Sequence, residues 1–193
     1  RRAEADQVTW HEVDPCFVFH PMNGYEDEHG RVVLDVVRHP SMFATDKLGP
    51  NEGTATLDRW VIDRSKTRVQ ESRLDEQGQE FPRIAEHLTG KPYRYGYSVA
   101  LSEGFTVGGL YKHDMKKGCK EAYDEGAGRM FMEPVFVPTQ DAKAEDDGWL
   151  LAYVHDAPSR TTDVTILAAA ALAEGPVATI PLPPRVPFGF PGN

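Results

Sequence analysis

The chain has 193 residues, enough for one sizeable core or for part of a larger single-core fold. Its 30 acidic against 21 basic residues give a formal charge of -9, which argues against non-specific attraction to nucleic acid or to an anionic membrane surface and leaves apolar ligands open. Only two cysteines occur, Cys16 and Cys119, in no C-x-x-C pair, so neither a disulfide framework nor a zinc site is expected and a reducing cytoplasm fits best.

The longest apolar stretch, residues 165–173, falls well short of the roughly 20 residues of a membrane span. No secretory signal opens the chain, and a start at Arg1 without methionine is read as a missing upstream segment.

In chain order, residues 16–20 and 31–37 read as strands around an acidic, glycine-containing turn, because Val, Phe and Leu dominate them. His20 closes the first run, and Pro21, Asn23 and Gly24 read as turn formers behind it. A histidine so placed either points into a cleft, as a metal ligand or catalytic group, or is a hydrogen-bonded core residue.

Residues 54–62 and 67–74 surround the turn Asp63-Arg64-Ser65-Lys66. The same unit returns where 105–113 run through Asp114 to 119–123, and where 149–155 run through Asp156 to 161–167. A strand-turn-strand unit recurring at roughly 40 to 50 residues is the interval of β-propeller blades. A β-sandwich with similar hairpins is the alternative. Three or four blades alone would leave apolar faces uncovered, so residues 1–193 are expected to be one partial domain, the C-terminal part of a longer protein. Residues 167–173 read as about two helical turns between strands. The proline-rich end from residue 181 reads as an extended segment burying Phe188 and Phe190.

Two glutamates share unusual surroundings. Glu80 stands before Phe81 and Pro82, and Glu133 stands in the otherwise apolar run Phe131-Met132-Glu133-Pro134-Val135-Phe136. An ionised carboxylate there is costly unless it accepts hydrogen bonds or faces a positive group. Beside a buried histidine such carboxylates fit a metal site, since a ligating imidazole commonly donates its other N–H to a carboxylate. Alternatively each caps a backbone turn or pairs with an arginine such as Arg83.

The run Glu145-Asp146-Asp147-Gly148 lacks EF-hand spacing and reads as a solvated turn. His11, His29, His39, His87, His113 and His155 lie in polar or turn-rich settings and are assigned no role. No G-x-S-x-G, phosphate loop or basic-aromatic stripe occurs, so hydrolase, nucleotide and nucleic-acid functions have no support.

Several of these segments, in order and spacing, resemble the carotenoid cleavage oxygenases, a family that includes lignostilbene dioxygenases and the retinoid isomerase of the eye. They are Phe19-His20-Pro21-Met22-Asn23-Gly24-Tyr25-Glu26-Asp27, Glu80-Phe81-Pro82-Arg83-Ile84, Tyr93-Arg94-Tyr95-Gly96-Tyr97, Glu133-Pro134-Val135-Phe136-Val137-Pro138, Glu145-Asp146-Asp147-Gly148 and the segment from Leu182 to Phe190. The resemblance covers nearly the whole chain and the C-terminal portion of the family's length.

It implies an all-β fold, the C-terminal blades of a seven-bladed β-propeller carrying a non-haem Fe(2+) held by four histidines. The implied reaction splits a carbon–carbon double bond of an apolar polyene or stilbene with dioxygen, giving two carbonyl products. Within the resemblance His20 matches the third iron ligand, and Glu80 and Glu133 match glutamates that orient such ligands. The first two ligands would lie upstream of Arg1.

The chain departs at its end, where the family's Gly-Phe-His-Gly reads Gly189-Phe190-Pro191-Gly192. Proline offers no imidazole, which keeps open a propeller that binds an apolar ligand without oxygenation. A lignostilbene-type activity is the runner-up within the enzyme class. Peripheral membrane contact, as in family members, would involve parts outside this chain.

Overall fold

The computed structural model describes residues 8–47, 52–102, 106–183, 185–187 and 189. The expected burial of Phe188 and Phe190 and the residue in the fourth ligand position, Pro191, lie outside the described residues.

Three antiparallel sheets follow one another along the chain. The first runs β1 (Pro21–Glu26), β2 (Val32–Arg38), β3 (Thr56–Ile62), β4 (Gln70–Asp75), each strand paired with the next. The second repeats this order with β5 (Gln79–Ile84), β6 (Tyr95–Ser102), β7 (Thr106–Asp114) and β8 (Cys119–Tyr123). In the third, β9 (Arg129–Phe131) and β10 (Val135–Pro138) both pair with β11 (Gly148–Asp156), which continues to β12 (Thr161–Ala168) and β13 (Pro176–Pro181).

The first strands of successive sheets lie against each other, β1 on β5 and β5 on β10. Four-stranded meanders stacked through their first strands are propeller blades, as the recurrence of strand pairs predicts.

The main core lies between the second and third blades, where Tyr97, Val99, Leu110, Phe131, Leu150, Leu167 and Leu172 are almost completely buried. A smaller cluster of Met22, Leu57 and Ile84 joins the first blade to the second. Its close fit explains Gly96: a Cβ there would stand 2.3 Å from the Met22 sulfur.

Polar groups tie the same two blades. Asn23 donates to the carbonyls of Lys91 (3.0 Å) and Leu88 (3.4 Å) and accepts the Gly90 N–H, so a loop of the second blade is held on β1. Asp35, directly opposite Asn23 in the β1–β2 register and fully buried, accepts two hydrogen bonds from Arg59 (2.7 and 2.8 Å) and one from the Tyr93 hydroxyl (2.5 Å).

The three aspartate turns form as expected. Asp63, Asp114 and Asp156 accept backbone N–H groups of Ser65, of Lys116 and Lys117, and of Ser159. Their phase differs, however. Asp63 and Asp114 sit between the third and fourth strands of their sheets, whereas Asp156 sits between β11 and β12, the second and third along the main path of its sheet. The interval is a blade length only for the first pair.

The alanine-rich segment is a kinked 3-10 turn, Ala169–Glu174, between β12 and β13. Pro176 and Pro181 bound β13, which lies at the sheet edge, where a missing N–H costs no ladder bond.

Two local expectations are corrected. Residues 16–20 are not a continuous strand: the ladder runs over Pro21–Glu26, is irregular between Pro21 and Asn23, and reappears before them only as a bridge between Phe17 and His39. Pro21, Asn23 and Gly24 are thus strand residues, and the turn is made further on, where Asp27 caps the N–H groups of His29 and Arg31 and Gly30 takes φ 74°.

The acidic run is no solvated turn. Glu145 accepts the N–H groups of Arg94 and Tyr95, Asp146 pairs with the buried Lys112 amine at 2.6 Å, and Asp147 caps its own loop through Thr139 and Lys143. The first two of these carboxylates fasten the third blade to the second.

Candidate metal centre

His20, Glu80 and Glu133 share one structural circumstance: each sits where the first strand of its blade is broken. His20 immediately precedes β1 and its irregular pairing. Glu80 opens the register shift in β5 between Glu80 and Arg83, where Phe81 is held at φ 53°. Glu133 lies in the interruption between β9 and β10, both of which pair with β11. A regular strand alternates its side chains between the two faces, and a bulge re-aims the residue it contains. Three such breaks, on strands that stand side by side, turn polar groups out of the blades toward a common region.

Two of these residues meet directly. The His20 Nδ1–H donates to Glu80 Oε2 at 2.7 Å, across 60 positions of sequence. The Phe81 N–H donates to the same oxygen at 2.5 Å, and His39 Nε2–H donates to Oε1 at 2.9 Å. Glu80 is 1% exposed and His39 2%, whereas the His20 side chain remains one-third exposed.

With three N–H donors converging on it, a carboxylate can stay ionised without a neighbouring lysine or arginine. Burial pushes Glu80 upward, but the hydrogen bonds from His20, His39 and Phe81 outweigh it and hold the group below its usual range. The bond to Glu80 raises His20 in turn, against the downward push of burial. Because Nδ1 carries the proton given to Glu80, the Nε2 lone pair is the one available to a ligand.

Glu133 does not hydrogen-bond to His20. Its Oε1 pairs with Arg83 Nη1 at 3.2 Å, the arginine partner foreseen as an alternative, and Arg83 also reaches Glu86. Burial pushes Glu133 above the ordinary carboxylate range, with Arg83 pulling the other way.

His39 is the residue that sequence reasoning missed. It follows an apolar strand and precedes a proline, the pattern that singled out His20, but Arg38 and Ser41 beside it read as a polar setting. His113 and His155 are also buried rather than loop residues. His113 Nε2 donates to Gln79 Oε1 at 2.9 Å just behind Glu80, and burial pushes it down to about 4, so it is neutral near pH 7.

Apolar surface adjoins the pair. Phe17, Phe19 and Phe43 are each over a third exposed and contact one another edge to face, with Phe19 and Phe17 centroids 4.6 Å apart. The Phe19 ring stands 6.2 Å from that of His20.

The donor set fits one corner of an iron site: a fixed imidazole with a free Nε2, oriented by a carboxylate, suits ferrous iron. Among the described residues no group of three or more His, Cys, Asp or Glu side chains is placed to hold a metal ion.

A model of the family described as retinal pigment epithelial membrane protein matches residues 1–193. A carotenoid cleavage oxygenase of Mycobacterium tuberculosis is 38% identical across the whole of this chain, which covers 40% of that relative. A carotenoid 9,10(9',10')-cleavage dioxygenase of Arabidopsis thaliana is 32% identical over 95% of the chain and 37% of its own length. Among solved structures, the cobalt-substituted Synechocystis apocarotenoid oxygenase superposes with a TM-score of 0.84 and 28% identity, over 91% of this chain and 39% of that one. The chain thus spans about 40% of the length of the curated relatives it matches.

Proposed function

Because this chain belongs to the retinal pigment epithelial membrane protein family, whose matched relatives are carotenoid cleavage oxygenases, we propose that it is part of an iron(II)-dependent oxygenase cleaving a carbon–carbon double bond of a carotenoid or apocarotenoid. The observation that carries the reading is the His20–Glu80 pair at 2.7 Å, which assigns the ring proton to Nδ1 and leaves the Nε2 lone pair to a ligand, on a partly exposed side chain beside a broken blade strand.

In this reading the chain supplies the C-terminal blades of the propeller, and the other histidine ligands come from outside the described residues. His20 Nε2 is the ligand atom, Glu80 orients it, and Glu133 orients a ligand from another part of the protein. Ferrous iron, when bound, supplies the coordination positions and the redox chemistry through which dioxygen reacts. The partly exposed rings of Phe17, Phe19 and Phe43 offer an apolar wall where a polyene loses water on binding.

The balance is simple: one alkene and one dioxygen become two carbonyl groups, with both oxygen atoms retained and no external reductant. The test is turnover of the complete protein, reconstituted with ferrous iron, on a carotenoid, an apocarotenoid and a stilbene. Two carbonyl products from a polyene, each carrying label from isotopic dioxygen, are expected. An iron-loaded protein that leaves both polyenes intact contradicts the reading.

A further inference from the structure

We infer that His39 is a positioning residue of the iron site, fixing Glu80 so that Glu80 can fix His20; this rests on the reading of His20 as an iron ligand. Glu80 is anchored through both oxygens, and the two anchors differ in kind. Oε2 receives His20 Nδ1 and the Phe81 N–H, while Oε1 is held by His39 Nε2 at 2.9 Å.

A carboxylate held by one oxygen can still turn about its terminal bond, and its lone pairs then sweep past the His20 N–H. Fixing the second oxygen sets the carboxylate plane and therefore the direction in which the His20 ring presents Nε2.

His39 is itself built to hold still. Its N–H donates to the Phe17 carbonyl at 2.8 Å and its carbonyl accepts the Phe17 N–H at 2.9 Å, so the backbone is clamped to the segment that carries His20. Its ring is 2% exposed and stands edge-on to Phe19, with centroids 5.3 Å apart and planes at 88°. Pro40 follows and limits the backbone further. A buried imidazole spent on one oxygen of a carboxylate, with its backbone tied to the ligand's own segment, is the arrangement of an orienting partner. An apolar side chain would fill the same space without the bond.

The test is chelator competition on the complete protein, with cobalt(II) as the probe and its absorption spectrum as a second readout. His39→Leu removes the donor and is expected to weaken cobalt affinity about 10-fold or more and to alter the spectrum. His39→Gln retains an N–H donor and is expected to recover most of the loss. In a Glu80→Gln background, His39→Leu is expected to add nothing further, because the partner it serves is already changed. Where His39→Leu does not fold, His39→Met, which adapts more readily to the cavity, carries the same comparison.

Wild-type affinity and spectrum in His39→Leu would overturn the inference. So would an equal loss in the Leu and Gln variants that adds to that of Glu80→Gln, since packing alone then accounts for the residue. His20→Ala, run in parallel, separates the two levels: cobalt retained in it removes the ligand reading itself, whereas cobalt lost in it but unchanged in His39→Leu removes only the role of His39.

Discussion

Glu80→Gln is expected to lower the iron affinity of the complete protein by about 10–100-fold, read by chelator competition, with turnover falling in step. The substitution keeps the shape but exchanges one acceptor oxygen for an NH2 group, and all three neighbours of that carboxylate are donors: His20 Nδ1, His39 Nε2 and the Phe81 N–H. The NH2 group then faces a donor, unless His39 moves its ring proton to Nδ1 and accepts through Nε2. At a site 1% exposed, a donor left without its acceptor costs about 1–3 kcal/mol, so urea unfolding should show a loss of that order beside the metal effect. An affinity equal to wild type would mean that Glu80 serves the bulge alone, holding Phe81 at its positive φ, and leaves His20 to orient itself.

The second large effect lies away from the metal. Asp35→Ala is expected to destabilise the protein by about 3–5 kcal/mol, because it leaves the Arg59 guanidinium and the Tyr93 hydroxyl without their shared partner in a buried site. In the complete protein, of which this chain is a part, the melting temperature should fall by a few degrees. Tyr93 precedes β6 of the second blade and Asp35 belongs to the first, so the loss acts on the joint between the blade of His20 and the blade of Glu80. Asp35→Asn, which preserves one acceptor, should lose less in the same melt. An Asp35→Ala protein that melts with wild type would show that Asn23 and the Met22 cluster hold the blades without this pair.

The blades were legible because their strands are rich in Val, Leu, Ile and aromatic residues and because aspartate turns mark strand ends by a local mechanism. Asp63, Asp114 and Asp156 each cap the turn they were expected to cap. What a strand pattern cannot express is a break in the strand. Pro21, Asn23 and Gly24 carry turn chemistry, yet β2 offers them a ladder and β5 a packing surface, and tertiary pairing outweighs local preference.

His39 was hidden for a related reason. Its sequence neighbours are polar, and only the β1–β2 register, continued through the Phe17 bridge, brings it to Glu80 across 41 positions. The acidic run misled in the same way: Glu145 and Asp146 look solvated until the second blade supplies two backbone N–H groups and a lysine. In each case the missing information was a long-range partner, which no local window contains.

The measurement closest to the central claim is the iron content of the complete protein with His20→Ala, determined by elemental analysis beside wild type and with unfolding followed for both. If His20 Nε2 is a ligand oriented by Glu80, wild type carries about one iron per chain and the variant, still folded, none in stoichiometric amount. Full iron and undiminished cleavage in the His20→Ala protein would contradict the account and return His20 to the status of a hydrogen-bonded residue at a broken strand.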